Sequence, residues 1–266
     1  IEEAGIHSGD SACVLPAITI SPDQLNEIKI ATEKIARGVG VRGLINIQYA
    51  IASNKLYVLE ANPRASRTVP FVSKSIGIPL AKAAARIAVG EKIVNLKQEG
   101  LLPKDDVKPS AISVKEVVLP WNRFRRIDGR GVDSTLGPEM RSTGEVMGIA
   151  PTFGESYAKS QIAAFGPLPK SGTVFISLSD KDKDSGINAA RELRDLGFNL
   201  IATSGTAAAL SEKGIQTTAI RKHSEGTGPL GERTIVELMV AGQIDLVINT
   251  PVGRGSRQDG WVIRTT

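Results

Sequence analysis

Five polar side chains between residues 48 and 67 are of the types that bind a metal ion and a phosphate. They are one carboxylate, two amides and two guanidinium groups: Gln48, Glu60, Asn62, Arg64 and Arg67. Magnesium is bound by one or two carboxylates together with substrate phosphates. Arginine stabilises the charge of a phosphoryl group during its transfer. This set of side chains therefore predicts a metal-nucleotide site, provided that the fold brings them together.

A β-hairpin would bring these side chains together. In an extended strand over residues 44–51, one side is the more polar and carries Leu44, Asn46, Gln48 and Ala50, whereas the other is apolar and carries Ile45, Ile47, Tyr49 and Ile51. Ser53 and Asn54 are typical turn residues. The returning strand then carries Glu60 back beside Gln48. For an ordinary Gln/Glu pair a solvated polar face would be the simpler interpretation, but here an apolar side backs the strand.

Alternation on the returning strand predicts that Leu56, Val58 and Glu60 share one side. Asn62 precedes Pro63, and a residue before proline is held extended rather than helical. The side chain of Asn62 should therefore continue the polar line of the strand towards the two arginines.

These residues resemble a known family. Residues 60–74, EANPRASRTVPFVSK, with Gln48 before them, are similar to the end of the second ATP-grasp unit in the carbamoyl-phosphate synthetase family. The resemblance continues through residues 113–120, SVKEVVLP, and 136–148, LGPEMRSTGEVMG, and it covers nearly the whole chain. A lone Glu-x-Asn-Pro-Arg would indicate only an ATP-grasp enzyme, whereas the longer runs indicate this family.

The resemblance implies a role for each polar residue. Arg64 and Arg67 would be catalytic and would face the carbamate and the γ-phosphoryl group. The metal ligands would be Gln48, Glu60 and Asn62. The nucleotide contacts would be Gly5, Ile6, His7, Ser8, Gln48 and Glu60. The cofactors would be ATP or ADP with Mg²⁺ or Mn²⁺, and K⁺ is a further cation that the family takes.

The family also implies a reaction and partners. It makes carbamoyl phosphate from bicarbonate, ammonia delivered from glutamine and two ATP, for pyrimidine and arginine biosynthesis. A glutaminase small subunit, a larger oligomer and a cytoplasmic location would accompany it. The chain begins at Ile1 and lacks the lysine-bearing lid expected over ATP. We therefore expect a fragment that is inactive alone.

Composition agrees with this class of enzyme. The chain has 266 residues, 41% of them hydrophobic, and its single cysteine excludes a disulfide within the chain. No apolar run approaches the roughly 18 residues needed to span a bilayer. The net charge is +5, but aromatic residues make up only 4% and the densest basic run, 123–126, is short. We therefore expect anionic small molecules or a subunit contact as partners, and neither nucleic acid nor membrane.

The remaining elements of the first half are mostly packing elements. Ser21 and Pro22 predict the start of a helix that ends before Gly40. Its apolar stripe should cover the hairpin: Leu25, Ile28, Ile35 and Val39. A second helix is expected over 79–89, a looser connection over 91–112, and strands near 112–119 and 145–150. Residues 136–145 are dense in turn residues and charges, and we expect them to form a loop that closes the preceding domain.

The second half has a different pattern. Residues 166–172 contain two prolines and predict a stiff linker. From Thr173 strands and helices alternate, which predicts βαβ units in a parallel sheet with right-handed crossovers. Ligands of such sheets lie at the carboxyl ends of the strands. The polar residues expected there are Ser177, Lys183, Thr203, Ser204, Gly205, Thr206, Lys222, Asn249 and Thr250.

A phosphate would suit this position. Residues 203–206, TSGT, open a helix and so offer backbone N–H groups, hydroxyls and a positive dipole end, which Lys183 and Lys222 would complement. A simple helix cap is the alternative for this tetrapeptide. The half-chain resembles the methylglyoxal-synthase-like regulatory domain of the same family, which implies UMP or IMP as effector. Pro251 departs from the common pattern, and the family's domain continues for a further strand and helix beyond Thr266.

The predicted fold is mixed α/β and α+β: the carboxyl-terminal part of an ATP-grasp fold, followed by a Rossmann-like parallel-sheet domain. The expected domains are 1–95 for the ATP-grasp part, 96–169 for a closing subdomain and linker, and 170–266 for the regulatory domain. The alternatives are an isolated nucleotide-monophosphate-binding module and another ATP-grasp ligase of the biotin-carboxylase kind. Catalysis in the last domain is a further alternative, which would need Asp180 or Glu232 as its acid-base group.

Overall fold

A computed structural model describes residues 5–121 and 134–266, and the side chains at 254–257 are outside this description. The basic run at 123–126 therefore lies outside the described residues. The described chain falls into two compact units, residues 5–120 with 136–167, and residues 168–266 with the short pieces at 121 and 134–135. Within the described ranges, none of the helices is both long and apolar enough to cross a membrane.

The first unit combines one hairpin, one antiparallel sheet and five helices within its described residues. In chain order its elements are β1 (Cys13–Leu15), α1 (Pro22–Val39), β2 (Asn46–Ala52), β3 (Lys55–Asn62), α2 (Thr68–Ile76), α3 (Leu80–Ala88), α4 (Ile93–Gln98), β4 (Ile112–Val118), β5 (Gly144–Ala150) and α5 (Phe153–Phe165). The sheet has the order β1-β4-β5, and all of its pairs are antiparallel.

Helix α1 begins and ends as its sequence predicts. Ser21 Oγ accepts the backbone N–H of Gln24, whose side chain accepts the N–H of Ser21 in return, which is a complete capping box. The helix ends at Gly40, which has a left-handed φ of 69°. Its apolar stripe is only partly covered, because Leu25 keeps 47% and Val39 keeps 56% of its surface exposed.

The predicted hairpin is present. Strands β2 and β3 pair antiparallel, and Ser53 and Asn54 join them with φ angles of 49° and 58°. Positive φ at both central residues is the mark of a two-residue hairpin turn whose twist matches that of its strands. The hydroxyl groups of Thr32 and Tyr49 lie 2.7 Å apart, so helix α1 contacts the hairpin through a hydrogen bond.

One expectation about the returning strand is wrong. The pairing passes from Gln48 opposite Glu60 directly to Tyr49 opposite Val58, so Leu59 is an extra residue in a β-bulge. The bulge breaks the alternation of β3. Val58 therefore falls beside Tyr49, on the side opposite to Glu60, and does not share the face of Glu60 as strict alternation predicts.

The connection expected to be loose contains a helix. Residues 93–98 form α4, and the fully buried side chain of Leu96 fixes that helix to the unit. Arg86, at the end of α3, binds the carboxylates of Glu91 and Glu99. These ion pairs join α3 to the segment that carries α4, which the proline and aspartate content of this stretch did not indicate.

The second unit is the predicted parallel sheet. Its elements are β6 (Thr173–Ser177), α6 (Lys183–Asp195), β7 (Asn199–Thr203), α7 (Ser204–Glu212), β8 (Thr218–Ile220), α8 (Ile235–Val240), β9 (Leu246–Asn249) and α9 (Arg254–Thr265). The strand order is β8-β7-β6-β9, and every pair is parallel. Its core is formed by the strand and helix residues Val174, Ile176, Ile187, Ala190, Leu200, Ala202, Leu210 and Ile215.

Candidate functional site

The hairpin of the first unit brings the predicted metal ligands together. Gln48 lies directly opposite Glu60, and Asn46 lies opposite Asn62. The amide Nδ2 of Asn62 donates to Glu60 Oε1 at 3.0 Å, which leaves Asn62 Oδ1 as a possible metal ligand. Glu60 is exposed, whereas Gln48 and Asn62 are half-buried. The carboxylate is thus the accessible centre of a small group of oxygen ligands.

This donor set fits a hard cation that shares its ligands with phosphates. Among residues 5–121 and 134–266, no cluster of three acidic, histidine or cysteine side chains is placed to hold a metal by itself. One carboxylate with two amide oxygens leaves most of an octahedral shell to water and substrate, and magnesium usually keeps several waters of its own. The hairpin is therefore suited to a metal-nucleotide complex rather than to a structural metal.

The two arginines point to different surroundings. Arg64 donates from Nη1 to the carbonyl of Ala65 at 3.0 Å and is exposed. Arg67 donates from Nη1 to Ser142 Oγ at 3.2 Å, and its Nε lies 3.9 Å from Glu145 Oε1. The structure therefore places Arg67 beside the residues at the start of β5.

His7 has a structural role in the opening segment. Its Nδ1 accepts the backbone N–H of Gly9 at 2.9 Å, which caps a short 3-10 turn over Ser8–Asp10. The backbone N–H of His7 donates to the carbonyl of Gly137 at 2.8 Å. Gly5 and Ser8 are exposed and Ile6 is half-buried. The segment thus has a defined conformation, with Nε2 of His7 as the ring atom left for a ligand.

Asp10 ties this segment to residues 141 and 142. The carboxylate is fully buried and accepts the backbone N–H groups of Arg141 at 2.7 Å and Ser142 at 2.8 Å. Burial alone would raise the pKa of Asp10, but the hydrogen bonds from Ser142 and Arg141 outweigh it and hold that pKa below its usual value. The turn-rich stretch from residue 136 is therefore a closing loop, and a buried anion anchors it.

A second group of charges was missed from the sequence. Lys115 is only 1% exposed, in the middle of β4, and its Nζ lies 3.3 Å from Glu145 Oε1. With Arg67 and Lys74 these residues line a cavity of about 370 Å³ that also has apolar walls. The signal in the sequence was two adjacent charges, Lys115 and Glu116, inside an otherwise apolar strand.

The second unit has a cavity at the carboxyl ends of its strands. Its volume is about 520 Å³, which is within the usual range for small-molecule sites. Nearly all of the residues predicted for the effector line it: Ser177, Lys183, Thr203, Gly205, Thr206, Lys222, Asn249 and Thr250. Ser204 is exposed in the first turn of α7, outside this lining. We call this cavity the strand-end pocket.

Two threonines shape the floor of the strand-end pocket. Thr206 is 2% exposed, and its Oγ1 accepts both the backbone N–H of Leu178 at 3.0 Å and the hydroxyl of Thr203 at 3.2 Å. A hydroxyl that accepts two bonds still has one proton to donate. Thr203 directs its hydroxyl to Thr206 and not to the first turn of α7, so the Thr203 side chain does not cap the backbone N–H groups of that turn.

The cations of the strand-end pocket are held in different ways. Lys183 Nζ lies 2.7 Å from Asp180 Oδ1, across a single 3-10 turn. Lys222 begins the next turn, where its backbone N–H donates to Glu225 Oε2 at 2.9 Å. Asp259, on α9, accepts the N–H and hydroxyl of Ser224 and so fixes this turn against the helix. Positive side chains on two sides of one cavity suit an anion.

The geometry does not favour a catalytic acid-base pair in this unit. Glu232 accepts the backbone N–H of Leu230 at 3.1 Å and lies outside the residues that line the strand-end pocket. Asp180 is paired with Lys183, and that hydrogen bond lowers the pKa of Asp180 below its usual value. A carboxylate held ionised by a lysine is a poor match for proton abstraction near neutral pH.

Comparisons with known proteins cover both units. A family model described as the ATP binding domain of the carbamoyl-phosphate synthase L chain matches residues 2–96. A second model, described as the MGS-like domain, matches residues 185–266. The first match contains the hairpin, and the second contains the helices and strand ends around most of the strand-end pocket.

Whole relatives are similar along the entire chain. The carbamoyl phosphate synthase large chain of Streptomyces coelicolor is 61% identical over 270 residues, covering 100% of this chain and 24% of its own length. The large chain of Streptomyces griseus is 60% identical, also over 270 residues with 100% and 24% coverage. That of Kineococcus radiotolerans is 58% identical over 269 residues, with 99% and 24% coverage.

The chain therefore spans about a quarter of the length of the curated relatives that it matches. A solved structure of Rhizobium etli pyruvate carboxylase superposes with a TM-score of 0.45 at 20% identity, covering 57% of this chain and 16% of its own, a likeness too weak to bear on the site. Similarity that runs unbroken through both units disfavours a lone regulatory module and a biotin-carboxylase-like ligase alike.

Proposed function

Because the chain belongs to the carbamoyl phosphate synthase large-chain family, we propose that the intact protein is an ATP-dependent ligase that makes carbamoyl phosphate. Its substrates are bicarbonate, ammonia and ATP, and the first unit contributes to the phosphorylation of carbamate. The observation that carries this proposal is the register of the hairpin, which sets Gln48 and Glu60 opposite each other with Asn62 bonded to Glu60.

In this reaction the protein mainly positions the substrates and neutralises the charge of the phosphates. A carbamate oxygen attacks the γ-phosphorus of ATP, the bond from that phosphorus to its bridging oxygen breaks, and ADP leaves. Gln48, Glu60 and Asn62 would hold Mg²⁺ or Mn²⁺, which would supply positive charge to neutralise the ATP phosphates. Arg64 and Arg67 bind the carbamate and the transferring group, whose charge they stabilise most strongly in the transition state. Gly5, Ile6, His7 and Ser8 border the nucleotide.

Glu60 gives the direct test of this site. Glu60→Gln keeps the shape of the side chain but removes the charge that holds the cation, and metal-ion charge stabilisation is worth several kcal/mol. We expect the variant to lose about 100-fold or more of the rate at which the intact protein forms ATP from carbamoyl phosphate and ADP. Glu27→Gln, on the exposed face of α1, is the matched control. Near-normal activity of Glu60→Gln would contradict the assignment.

The second unit is proposed to bind a nucleoside monophosphate, UMP or IMP, as an allosteric effector. The phosphate is bound by Lys183, Lys222, Thr203 and Thr206 and by the N–H groups at Ser204 and Gly205, while Asn249 and Thr250 lie at the next strand end. A helix N-terminus with two lysines beside it is a favourable anion site. Pro251 lines the same pocket and offers no hydrogen bond donor, which affects effector identity.

Lys183→Ala tests this pocket. Hydrogen bonds to charged groups contribute about 1.5–3 kcal/mol, so we expect UMP or IMP to bind the variant about 10- to 100-fold more weakly, measured by isothermal titration calorimetry. Lys213→Ala, at the far end of α7 and exposed, removes the same charge outside the pocket and should bind normally. Equal affinity for Lys183→Ala and the wild type would place the effector elsewhere.

The proposed partners follow from the same family. A glutaminase small subunit supplies ammonia, the intact enzyme forms an oligomer in the cytoplasm, and K⁺ is a further cation of the proposed enzyme. The domains proposed are residues 1–95, 96–169 and 170–266. The activity assay with and without UMP addresses enzyme and effector together, because suppression by UMP requires both sites in one protein.

A further inference from the structure

Asp180 is one of two carboxylates, with Asp259, that line a pocket with several positive side chains. It lines the strand-end pocket together with Lys181, Lys183 and Lys222. Its Oδ1 lies 2.7 Å from Lys183 Nζ, and the side chain of Asp180 is 96% exposed whereas that of Lys183 is 28% exposed. The acid is therefore the exposed partner of this ion pair, and the lysine is the more buried one.

The backbone position of Lys183 is fixed by contacts that do not involve the Asp180 side chain. Lys183 is the first residue of α6, and the preceding turn is closed by other contacts: Ser179 Oγ donates to Asp182 Oδ2 at 2.5 Å, and the N–H of Ser179 donates to Thr250 Oγ1 at 3.0 Å. The bond between Ser179 and Thr250 joins the ends of β6 and β9, and neither bond involves the side chain of Asp180. Removing the charge of Asp180 should thus leave the turn and the lysine in place.

We propose that Asp180 sets the affinity and charge selectivity of the strand-end pocket by competing with the anionic effector for the ammonium group of Lys183. The inference rests on the effector role proposed above. An anion that binds Lys183 must displace the Asp180 carboxylate from it, and the displaced carboxylate remains nearby as a like charge. Both effects weaken binding, and the repulsion grows with the negative charge of the ligand.

The size of the effect is bounded by the exposure of the pair. Exposed ion pairs contribute little, equivalent to a factor of about two to five in an equilibrium constant. Asp180 therefore adjusts an affinity and does not abolish binding. Its effect should be largest for a phosphate dianion and near zero for an uncharged nucleoside, which carries no group that competes for Lys183.

Asp180→Asn tests the proposal in the intact protein. Isothermal titration calorimetry with UMP, IMP and inorganic phosphate should give about two- to fivefold tighter binding of the phosphates than in the wild type. Uridine, measured as the uncharged probe, should bind both proteins equally. Asp184→Asn is the matched control, since it removes an exposed negative charge one residue beyond Lys183, outside the pocket lining.

A double variant separates competition from a general charge effect. In a Lys183→Ala background, Asp180→Asn should give little further gain in phosphate affinity, because the ammonium group of Lys183 is absent. Equal or weaker phosphate binding by Asp180→Asn, an equal gain from Asp184→Asn, or a full gain in the double variant would each overturn the proposal. Absence of any UMP, IMP or phosphate binding in the wild type would overturn the effector role itself, and this inference with it.

Discussion

The buried carboxylate of Asp10 joins two segments that are far apart in the sequence. Its two carboxylate oxygens accept the backbone N–H groups of Arg141 and Ser142, which are 131 and 132 positions further along the chain. Ser142 adds a hydroxyl bond to the carbonyl of Gly9 at 2.6 Å. Three hydrogen bonds thus close the loop before β5 onto the opening segment, where His7 and Ser8 lie.

Asp10→Asn should weaken the first unit. The amide has one acceptor oxygen and brings an NH₂ group towards a backbone N–H, so we expect the free energy of unfolding to fall by about 2 kcal/mol at pH 7. Because the pKa of Asp10 is lowered on folding, its stabilisation is present above the unfolded value of 3.8 and is lost as the pH falls below it. The difference between variant and wild type should shrink correspondingly in urea unfolding at pH 3.

The control for this measurement is Asp105→Asn, an exposed acid in the same unit. It should change the free energy of unfolding by less than about 0.5 kcal/mol at either pH. A loss that stayed constant from pH 7 to pH 3 would mean that the charge of Asp10 is not what stabilises the loop.

At the residue scale, the sequence predicted the ligand pair of the hairpin but not the buried lysine. Gln48 and Glu60 were predictable because alternation and a two-residue turn fix which residues lie opposite each other. Lys115 was not, because a charge in a strand normally marks a solvated face. Its burial depends on Glu145, a partner 30 residues away whose position no local pattern gives.

At the scale of elements, the contact of α5 with β5 depends on a glycine. A Cβ at Gly148 would lie 2.1 Å from the carbonyl oxygen of Ser156 and 2.9 Å from the backbone nitrogen of Ser160. Ser156 Oγ also donates to the carbonyls of Gly148 and Ile112, at 2.7 and 3.0 Å. The helix can therefore lie this close to the sheet only where the strand lacks a side chain.

Gly148→Ala should therefore separate helix from sheet. Since backbone atoms of α5 cannot yield as a flexible side chain would, we expect a loss of about 3 kcal/mol or more in the free energy of unfolding, measured with denaturant. Gly154→Ala is the matched control, because nothing lies within 4 Å of its Cβ and it is inside the same helix. That change should be neutral or stabilise by about 0.5–1 kcal/mol, and a similar loss in both variants would contradict the packing argument.

Elements were predictable where their signals are local. Ser21 as an N-cap and Gly40 as a stop predicted both ends of α1. The alternation of strands and helices predicted the parallel sheet of the second unit. Helix α2 was missed because its sequence, TVPFVSKSI, combines β-branched residues with a proline. Strand β1 was missed because three residues carry too little pattern, and the sheet partner of β1 lies about a hundred positions away.

At the scale of the whole molecule, the two units differ in how far their contacts reach. In the second unit neighbouring strands are close in sequence, apart from β9, and parallel crossovers follow one rule of handedness. In the first unit, strands from residues 13–15, 112–118 and 144–150 form one sheet around an intervening hairpin and four helices. The parallel sheet could therefore be predicted from the order of strands and helices along the chain, whereas the antiparallel sheet could not.

The hydrogen bonds of Asp10 also constrain the order of events during synthesis. A ribosome adds about 5–20 residues per second, so Arg141 follows Asp10 by roughly 7–26 s. The hairpin and helix α1 need only local contacts and form on a microsecond scale. For those seconds the carboxylate of Asp10 lacks the N–H groups of Arg141 and Ser142, so the opening segment and the loop before β5 are not yet joined. The first unit can therefore complete its fold only after residue 142 has been made, and its incomplete sheet is open to chaperones and to aggregation until then.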